Sequence, residues 1–107
     1  MSTFPNNQYD AIENLIFKEG LRIEVLEFIP EMDMMLIVLN TKVILSHSLS
    51  SYDLLKRASK SQLLQYELIG KGTGVHWPLL DEDLSLKGFL QNELRKVVKT
   101  DKGSVAA

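Results

Sequence analysis

The stretch that decides the fold is LRIEVLEFIPEMDMMLIVLNTKVILSHSL, residues 21–49. Its first five residues alternate apolar with charged side chains, which is typical of a half-buried strand, and Pro30 ends that strand. The run MMLIVL, Met34–Leu39, is apolar throughout and predicts a central strand covered on both faces. A third strand, VILSHSL, begins at Val43. Because the links are too short for parallel crossovers, the stretch predicts a three-stranded antiparallel meander.

The period of the pattern changes after residue 49. The segments SSYDLLKRA and KSQLLQ predict two short helices, the first capped by Ser50 or Ser51. YELIG and VHW, joined by the glycine-rich turn KGTG, predict a β-hairpin that carries Trp77. The segment LKGFLQNELRKVVK predicts a C-terminal helix with Ser85 as its N-cap. The apolar residues on one face of that helix are Leu86, Phe89, Leu90, Leu94 and Val97 or Val98.

Together these elements predict an α+β fold, in which an antiparallel β-meander and a β-hairpin pack with two short helices and a C-terminal helix. At 107 residues the chain is expected to form a single domain. We divide it into an N-terminal extension (1–20), a folded core (21–98) and a loose tail (99–107). Within the extension, residues 1–8 are expected to be a loose end, and residues 9–19 carry a weak helical pattern.

The composition narrows the function classes. A net charge of −2 provides no overall field that would attract nucleic acid or anionic membranes. The absence of cysteine excludes disulfides, a thiolate nucleophile and a cysteine-based zinc site. No apolar run approaches the roughly 18–20 residues that cross a bilayer, and the first ten residues show no signal-peptide pattern. We therefore expect a cytoplasmic protein without a cofactor, without membrane contact and without direct nucleic-acid binding.

The stretch GTGVHWPLLDEDLS, residues 72–85, contains a histidine, the only tryptophan and three consecutive acidic residues. As an enzyme site, His76 would act as a general base that Asp81 or Asp83 orients, or the three would hold a metal. As a structural element, Trp77 would anchor the core with His76 on the opposite face, and the acids would favour the start of the last helix. We favour the structural interpretation and expect the segment to form an interaction surface. Its candidate residues are His76, Trp77, Pro78, Asp81, Glu82 and Asp83.

Three other features receive structural interpretations. The glycine-rich turn GKGTG, residues 70–74, fits no phosphate-loop spacing and leads into a strand. His47, in a serine-rich part of the third strand, is expected to face solvent. The basic clusters at residues 56–60 and 95–102 lack interleaved aromatic residues for base stacking, so we expect solvated helix faces there.

Residues 21–90 resemble the bacterial family called domain of unknown function 2442. The specific part of the resemblance is the glycine-rich turn followed by VHWPLLDEDLS and by a helix that carries GFL. The resemblance implies a small α+β domain, which stands alone in some relatives and is joined to a helix-turn-helix DNA-binding domain in others. It also implies toxin–antitoxin-like pairing, since genes for relatives often lie beside that of another small protein. It implies no catalytic residues.

We therefore expect a non-catalytic bacterial protein-interaction or regulatory module. Its partner would be another protein, bound at a sheet edge or at the surface around HWPLLDED, residues 76–83. Methionines around the second strand suit adaptable contacts, and self-association stays open. The alternative is a small metal-dependent or hydrolytic enzyme centred on His76 and on Asp81 or Asp83.

Overall fold

The computed structural model describes residues 9–106, with side chains described through Val98. The predicted loose end, residues 1–8, lies outside the described residues, as does Ala107. Within residues 9–106, no helix combines the length and the hydropathy that a bilayer span requires. In chain order, the elements are α1 (Ala11–Glu13, continued by the π-helical turn Asn14–Lys18), β1 (Ile23–Ile29), β2 (Met34–Leu39), β3 (Ile44–Ser48), α2 (Asp53–Lys56), α3 (Lys60–Leu64), β4 (Glu67–Ile69), β5 (Gly74–Trp77), β6 (Glu82–Ser85) and α4 (Leu86–Ala106).

The predicted antiparallel meander is confirmed, with β2 in the centre between β1 and β3. The fully buried face of β2 consists of Met35, Ile37 and Leu39. Pro30 begins a 3₁₀ turn between β1 and β2, because its fixed φ suits the first position of such a turn. That turn closes at Asp33, whose carboxylate accepts hydrogen bonds from the backbone N–H and the hydroxyl of Ser50. The bonds hold the end of β3 against the start of β2.

The predicted hairpin is part of a second three-stranded sheet, in the order β4-β5-β6. The structure differs from the prediction at β6, since we expected these residues to lead straight into the C-terminal helix. Instead Trp77 of β5 lies opposite Glu82 of β6 in an antiparallel ladder. Without β6, one edge of β5 would leave buried backbone N–H and C=O groups unpaired. Ser85 still caps α4, since its hydroxyl accepts a hydrogen bond from the backbone N–H of Gly88 at 3.0 Å.

Trp77 anchors the core, as the sequence predicts. The side chain is fully buried, and its Nε1 donates a hydrogen bond to the backbone carbonyl of Leu63 at 3.0 Å. Its ring meets Phe28 of the first sheet edge-on, with 6.4 Å between the ring centroids. A buried indole with its one polar atom satisfied contributes several kcal/mol of apolar burial, of the order of 25 cal/mol per Å². Trp77 therefore joins the two sheets.

Segments outside the sheets complete the core. The hydroxyl of Tyr66 accepts a hydrogen bond from the backbone N–H of Leu26 at 3.0 Å, which covers part of the outer edge of β1. Ile16 is buried in the core, so core packing includes the segment before residue 21. Lys87 lies 2.9 Å from the carboxylate of Glu13, and this hydrogen bond lowers the pKa of Glu13. The contact ties the N-terminal helix to the start of α4.

Among the side chains of α4 that the structure describes, those in the first part of the helix pack against the body. The helix has 21 residues and is therefore about 30 Å long. Leu86 and Phe89 are fully buried. Farther along the same side, Leu94, Val97 and Val98 are 56–58 % exposed. The body ends before the apolar face of the helix does, and the backbone stays helical to Ala106, through residues that the sequence analysis assigns to a loose tail.

Candidate functional site

Polar groups line a cleft between β3 and α4. Its volume is about 610 Å³, and typical ligand sites span roughly 300–1,000 Å³. One wall is formed by β3 and the turns beside it, and the other wall is formed by α4. The polar residues that line it include Ser46, His47, Ser48, Tyr52, Asn92 and Arg95.

A chain of hydrogen bonds crosses this cleft. Arg95 donates from Nη1 to Oδ1 of Asn92 at 2.9 Å, and this bond fixes the orientation of the amide. Asn92 therefore presents Nδ2 to Tyr52 and donates to the tyrosine hydroxyl at 3.1 Å. The same hydroxyl lies 2.9 Å from Nδ1 of His47. Tyr52 is thus held from both walls of the cleft.

His47 is the buried end of this chain. It is 6 % exposed, and its ring meets Phe89 edge-on at 5.3 Å. Burial lowers the pKa of His47, and the negative charge of Glu93 opposes that shift only in part, so the imidazole is neutral at pH 7. The Tyr52 hydroxyl accepts from Asn92 and completes its bonding by donating to Nδ1 of His47. We therefore assign the ring proton of His47 to Nε2.

The expectation that His47 faces solvent is wrong. Side chains alternate along a strand, and on β3 the residues Leu45 and His47 point into the protein together with Leu49 just beyond it, while Ser46 and Ser48 are exposed. Leu45 and Leu49, two positions to either side, are buried. Because His47 lies on the same face of the strand, its side chain also points inward. The alternation was present in the sequence and would have placed the histidine correctly.

Glu93 completes the cluster on the α4 side. Its Oε2 lies 2.9 Å from Nε2 of His47 and 2.8 Å from Nζ of Lys96. Both Nε2 and Oε2 are buried, yet within the described residues neither makes an aligned hydrogen bond, because the carboxylate lies off the N–H direction. Lys96 also donates to the backbone carbonyl of Ser46 on the outer edge of β3. The cluster therefore contains a buried imidazole N–H that is close to a charge but incompletely satisfied.

The sequence-predicted surface lies on the second sheet, and there the structure brings together two of its residues. His76 and Asp83 face each other across β5 and β6, with 2.5 Å between Nδ1 and Oδ1. This hydrogen bond raises the pKa of His76. Trp77 is fully buried and cannot contact a partner. The remaining predicted residues are exposed Pro78 and Asp81 and half-buried Glu82.

Only one member of the His76–Asp83 pair contacts either of the two cavities described here. Asp83 lines a smaller cavity of about 270 Å³, and His76 lines neither this cavity nor the cleft. Asp81 sits in the turn before β6, where its backbone has a left-handed φ of 52°. Across the described part of the chain, no three His, Asp or Glu side chains are grouped as metal ligands would be.

The members of the β3–α4 cleft were missed at the sequence level for a different reason. Tyr52, which follows β3, is separated by 40 residues from its hydrogen-bond partner Asn92 on α4. In sequence, Asn92 and Arg95 have the appearance of solvated helix positions. Only their spacing of three residues, which places them on one side of a helix, hinted that they act together.

Comparison with known proteins agrees with the fold. The crystal structure of a protein of unknown function from Rhodospirillum rubrum is 27 % identical, with a TM-score of 0.60, and the match covers 68 % of this chain and 88 % of that chain. The solution structure of an uncharacterized protein from Chromobacterium violaceum is 24 % identical, with a TM-score of 0.62, and 85 % of each chain is covered. No curated protein matches the chain.

The family comparison covers most of the elements described above. The model of the family described as Protein of unknown function (DUF2442) matches residues 23–94, from the start of β1 into α4. The matched region contains both sheets, Trp77, His47, Tyr52 and Glu93, and it ends just before Arg95 and Lys96. The chain therefore belongs to the DUF2442 family, as its resemblance to that family indicated.

Proposed function

We propose that this protein is a non-catalytic protein-interaction module of the bacterial cytoplasm, and that its partner docks on the outer part of α4. The observation that supports the proposal is the exposed apolar surface formed by Leu94, Val97 and Val98, here called the α4 stripe. These side chains are 56–58 % exposed, although they continue the face that carries Leu86 and Leu90. Burying an exposed leucine or valine contributes about 1.5–3 kcal/mol at most, so a partner that covers the stripe gains substantial binding energy.

The charge beside the stripe favours a partner with an acidic rim. Arg95 follows Leu94 directly and is exposed, whereas Lys96 is turned toward Glu93 and the backbone of β3. A partner groove with an apolar floor and an acidic rim would match both the stripe and the Arg95 side chain next to it. Helices that bind such grooves use apolar residues at helical spacing.

The surface around HWPLLDED is the competing docking site. Its exposed apolar residue is Leu79, which is 57 % exposed in the turn between β5 and β6. Trp77 is buried, so this surface offers one large apolar side chain among acids, whereas the α4 stripe offers three in one row. A regulatory or antitoxin-like role for the module is proposed from the family resemblance alone.

The enzymatic alternative has one supporting observation, the 2.5 Å contact between His76 and Asp83. The Asp83 side chain is 70 % exposed, so solvent screens the pair and weakens any tuning of its reactivity. The two side chains of the pair also do not line one common cavity among the two described above. The interaction module is therefore the function that the geometry favours.

The experiment is co-purification from the native cell with three forms of the tagged chain. In the first variant, Leu94→Glu and Val97→Glu together place charge on the α4 stripe. The matched control is Leu79→Glu, since Leu79 has the same exposure at the competing surface. We expect a stoichiometric partner with the wild-type chain and with Leu79→Glu, and its loss with the α4 variant.

Three results would contradict the proposal. Loss of the partner with Leu79→Glu alone would move the docking site to the hairpin end. A wild-type chain that sediments as a monomer and retains no partner would remove the interaction module itself. A wild-type homodimer that the α4 variant dissociates would replace the acidic partner with a second copy of the chain. Circular dichroism of each variant checks that the fold is intact.

A further inference from the structure

The β3–α4 cleft offers hydrogen-bond donors that have no partner among the described residues. Arg95 uses Nη1 for Asn92, which leaves the rest of its guanidinium fork for another acceptor. Exposed Ser48 and Ser51 bring hydroxyls to the same cleft. Because Asn92 holds Arg95 in place, the fork is oriented before a ligand arrives, and this lowers the entropic cost of binding.

The main acceptors beside the cleft, in contrast, lie close to donors of the protein itself. Both carboxylate oxygens of Asp33 accept hydrogen bonds from Ser50. The carboxylate of Glu93 lies between His47 and Lys96. The backbone carbonyl of Ser46 is bonded by Lys96. A ligand that enters beside Arg95 therefore meets donors from the guanidinium and from the serine hydroxyls, which is an environment that suits an oxyanion.

The contact between His47 and Glu93 beside the cleft is incompletely satisfied. His47 lines the cleft, is 6 % exposed, and has a buried Nε2 without an aligned partner in the described residues. Buried polar atoms are satisfied in most folded proteins, and exceptions concentrate at functional positions. The other ring nitrogen of His47, Nδ1, is bonded to the Tyr52 hydroxyl. A ligand that changes the hydrogen bonds of Tyr52 would therefore also affect Nε2 of His47.

One wall of the cleft is apolar. Met32 is 64 % exposed, and Met34 is half-buried beside it. Methionine side chains adapt to irregular ligands, so this wall suits the hydrocarbon part of a molecule. The volume of about 610 Å³ admits a molecule considerably larger than a bare ion.

From these features we infer that the cleft binds a small organic carboxylate with an apolar body. The carboxylate would accept hydrogen bonds from the Arg95 fork and from the hydroxyls of Ser48 and Ser51. The apolar body would lie against Met32 and Met34. The inference goes beyond the proposed function, because the site is formed by the cleft residues, whereas the α4 stripe is formed by Leu94, Val97 and Val98.

The test is a titration of the full chain with hexanoate, followed by NMR of the methionine methyl groups. We expect saturable shifts at Met32 and Met34. Hexanamide, which has the same body without the charge, should bind at least about tenfold more weakly, because charge-assisted hydrogen bonds are about twice as strong as neutral ones. Inorganic phosphate tests the charged head alone and should leave both methyl signals in place.

Variants connect the binding to the named groups. Arg95→Gln should weaken hexanoate binding about tenfold or more, while Arg95→Lys keeps part of it. The matched control is Arg57→Gln, an exposed arginine on another element, which should change nothing. Equal affinity for hexanoate and hexanamide, equal binding by Arg95→Gln, or the absence of any shift at Met32 and Met34 would each overturn the inference.

Discussion

The two halves of α4 differ in what lies opposite them. In the inner half, Leu86 and Phe89 are buried against the sheets, and Asn92 and Glu93 reach the polar groups of β3. In the outer half, the α4 stripe continues the apolar face into solvent. The comparison teaches that a helical period identifies which side of a helix is apolar, whereas the extent of the body decides how much of that side is covered. The uncovered part is the portion that we assign to a partner.

The sharpest test of this comparison uses the same substitution in both halves. Leu86→Ala should lower the free energy of unfolding by about 2–5 kcal/mol, because it leaves a cavity in a packed core. Leu94→Ala should change it by no more than about 0.5 kcal/mol, as is usual for exposed positions. Urea unfolding followed by tryptophan fluorescence measures both values. Equal losses would show that the outer half also packs against the body.

A smaller effect concerns the contact of the inner half with β3 through His47. Burial lowers the folded-state pKa of His47 below its ordinary value of 6.5. Above that pH, His47 is neutral in both the folded and the unfolded state, so it does not lower the free energy of unfolding there. As the pH falls below 6.5, the unfolded state binds a proton that the folded state does not, and stability decreases. We expect this decrease in the wild-type chain and its loss in His47→Gln, measured as urea midpoints between pH 8 and pH 5.5.

His76 serves as the internal control because its shift has the opposite sign. The hydrogen bond to Asp83 raises the folded-state pKa of His76 above 6.5. The stabilisation by this bond is therefore present at pH values below 6.5, and it is lost as the pH rises through the folded-state pKa. His76→Gln should therefore make the acid-side decrease in stability steeper, whereas His47→Gln should remove it. Identical profiles for the two variants would contradict the different environments that the structure gives the two rings.

The sequence was a good guide wherever one segment decides its own structure. The alternation in residues 21–29, the apolar run at Met34–Leu39 and the turns between them specify the meander without reference to the rest of the chain. Trp77 was correctly placed in the core, since a large aromatic residue on a short strand has few other locations. Ser85 was correctly identified as a cap, because the capping bond joins residues three positions apart.

Features that depend on contacts between distant segments were harder to predict from the sequence. The acids before Ser85 have the composition of a helix start, and only the unpaired edge of β5 makes them a strand. The hydrogen-bond chain from Arg95 to His47 requires α4 to cross the end of β3, which no local pattern specifies. His47 is the exception, because alternation with Leu45 and Leu49 already indicated its direction.

The central claim is that the outer half of α4 is a docking face, and amide hydrogen exchange tests it most directly. The chain is measured alone and together with the partner that co-purifies with it. We predict slow exchange in residues 86–93 in both states, and fast exchange in residues 94–98 that the partner slows by at least about tenfold. A partner that instead slows exchange at residues 76–83, and leaves residues 94–98 unchanged, would contradict the claim.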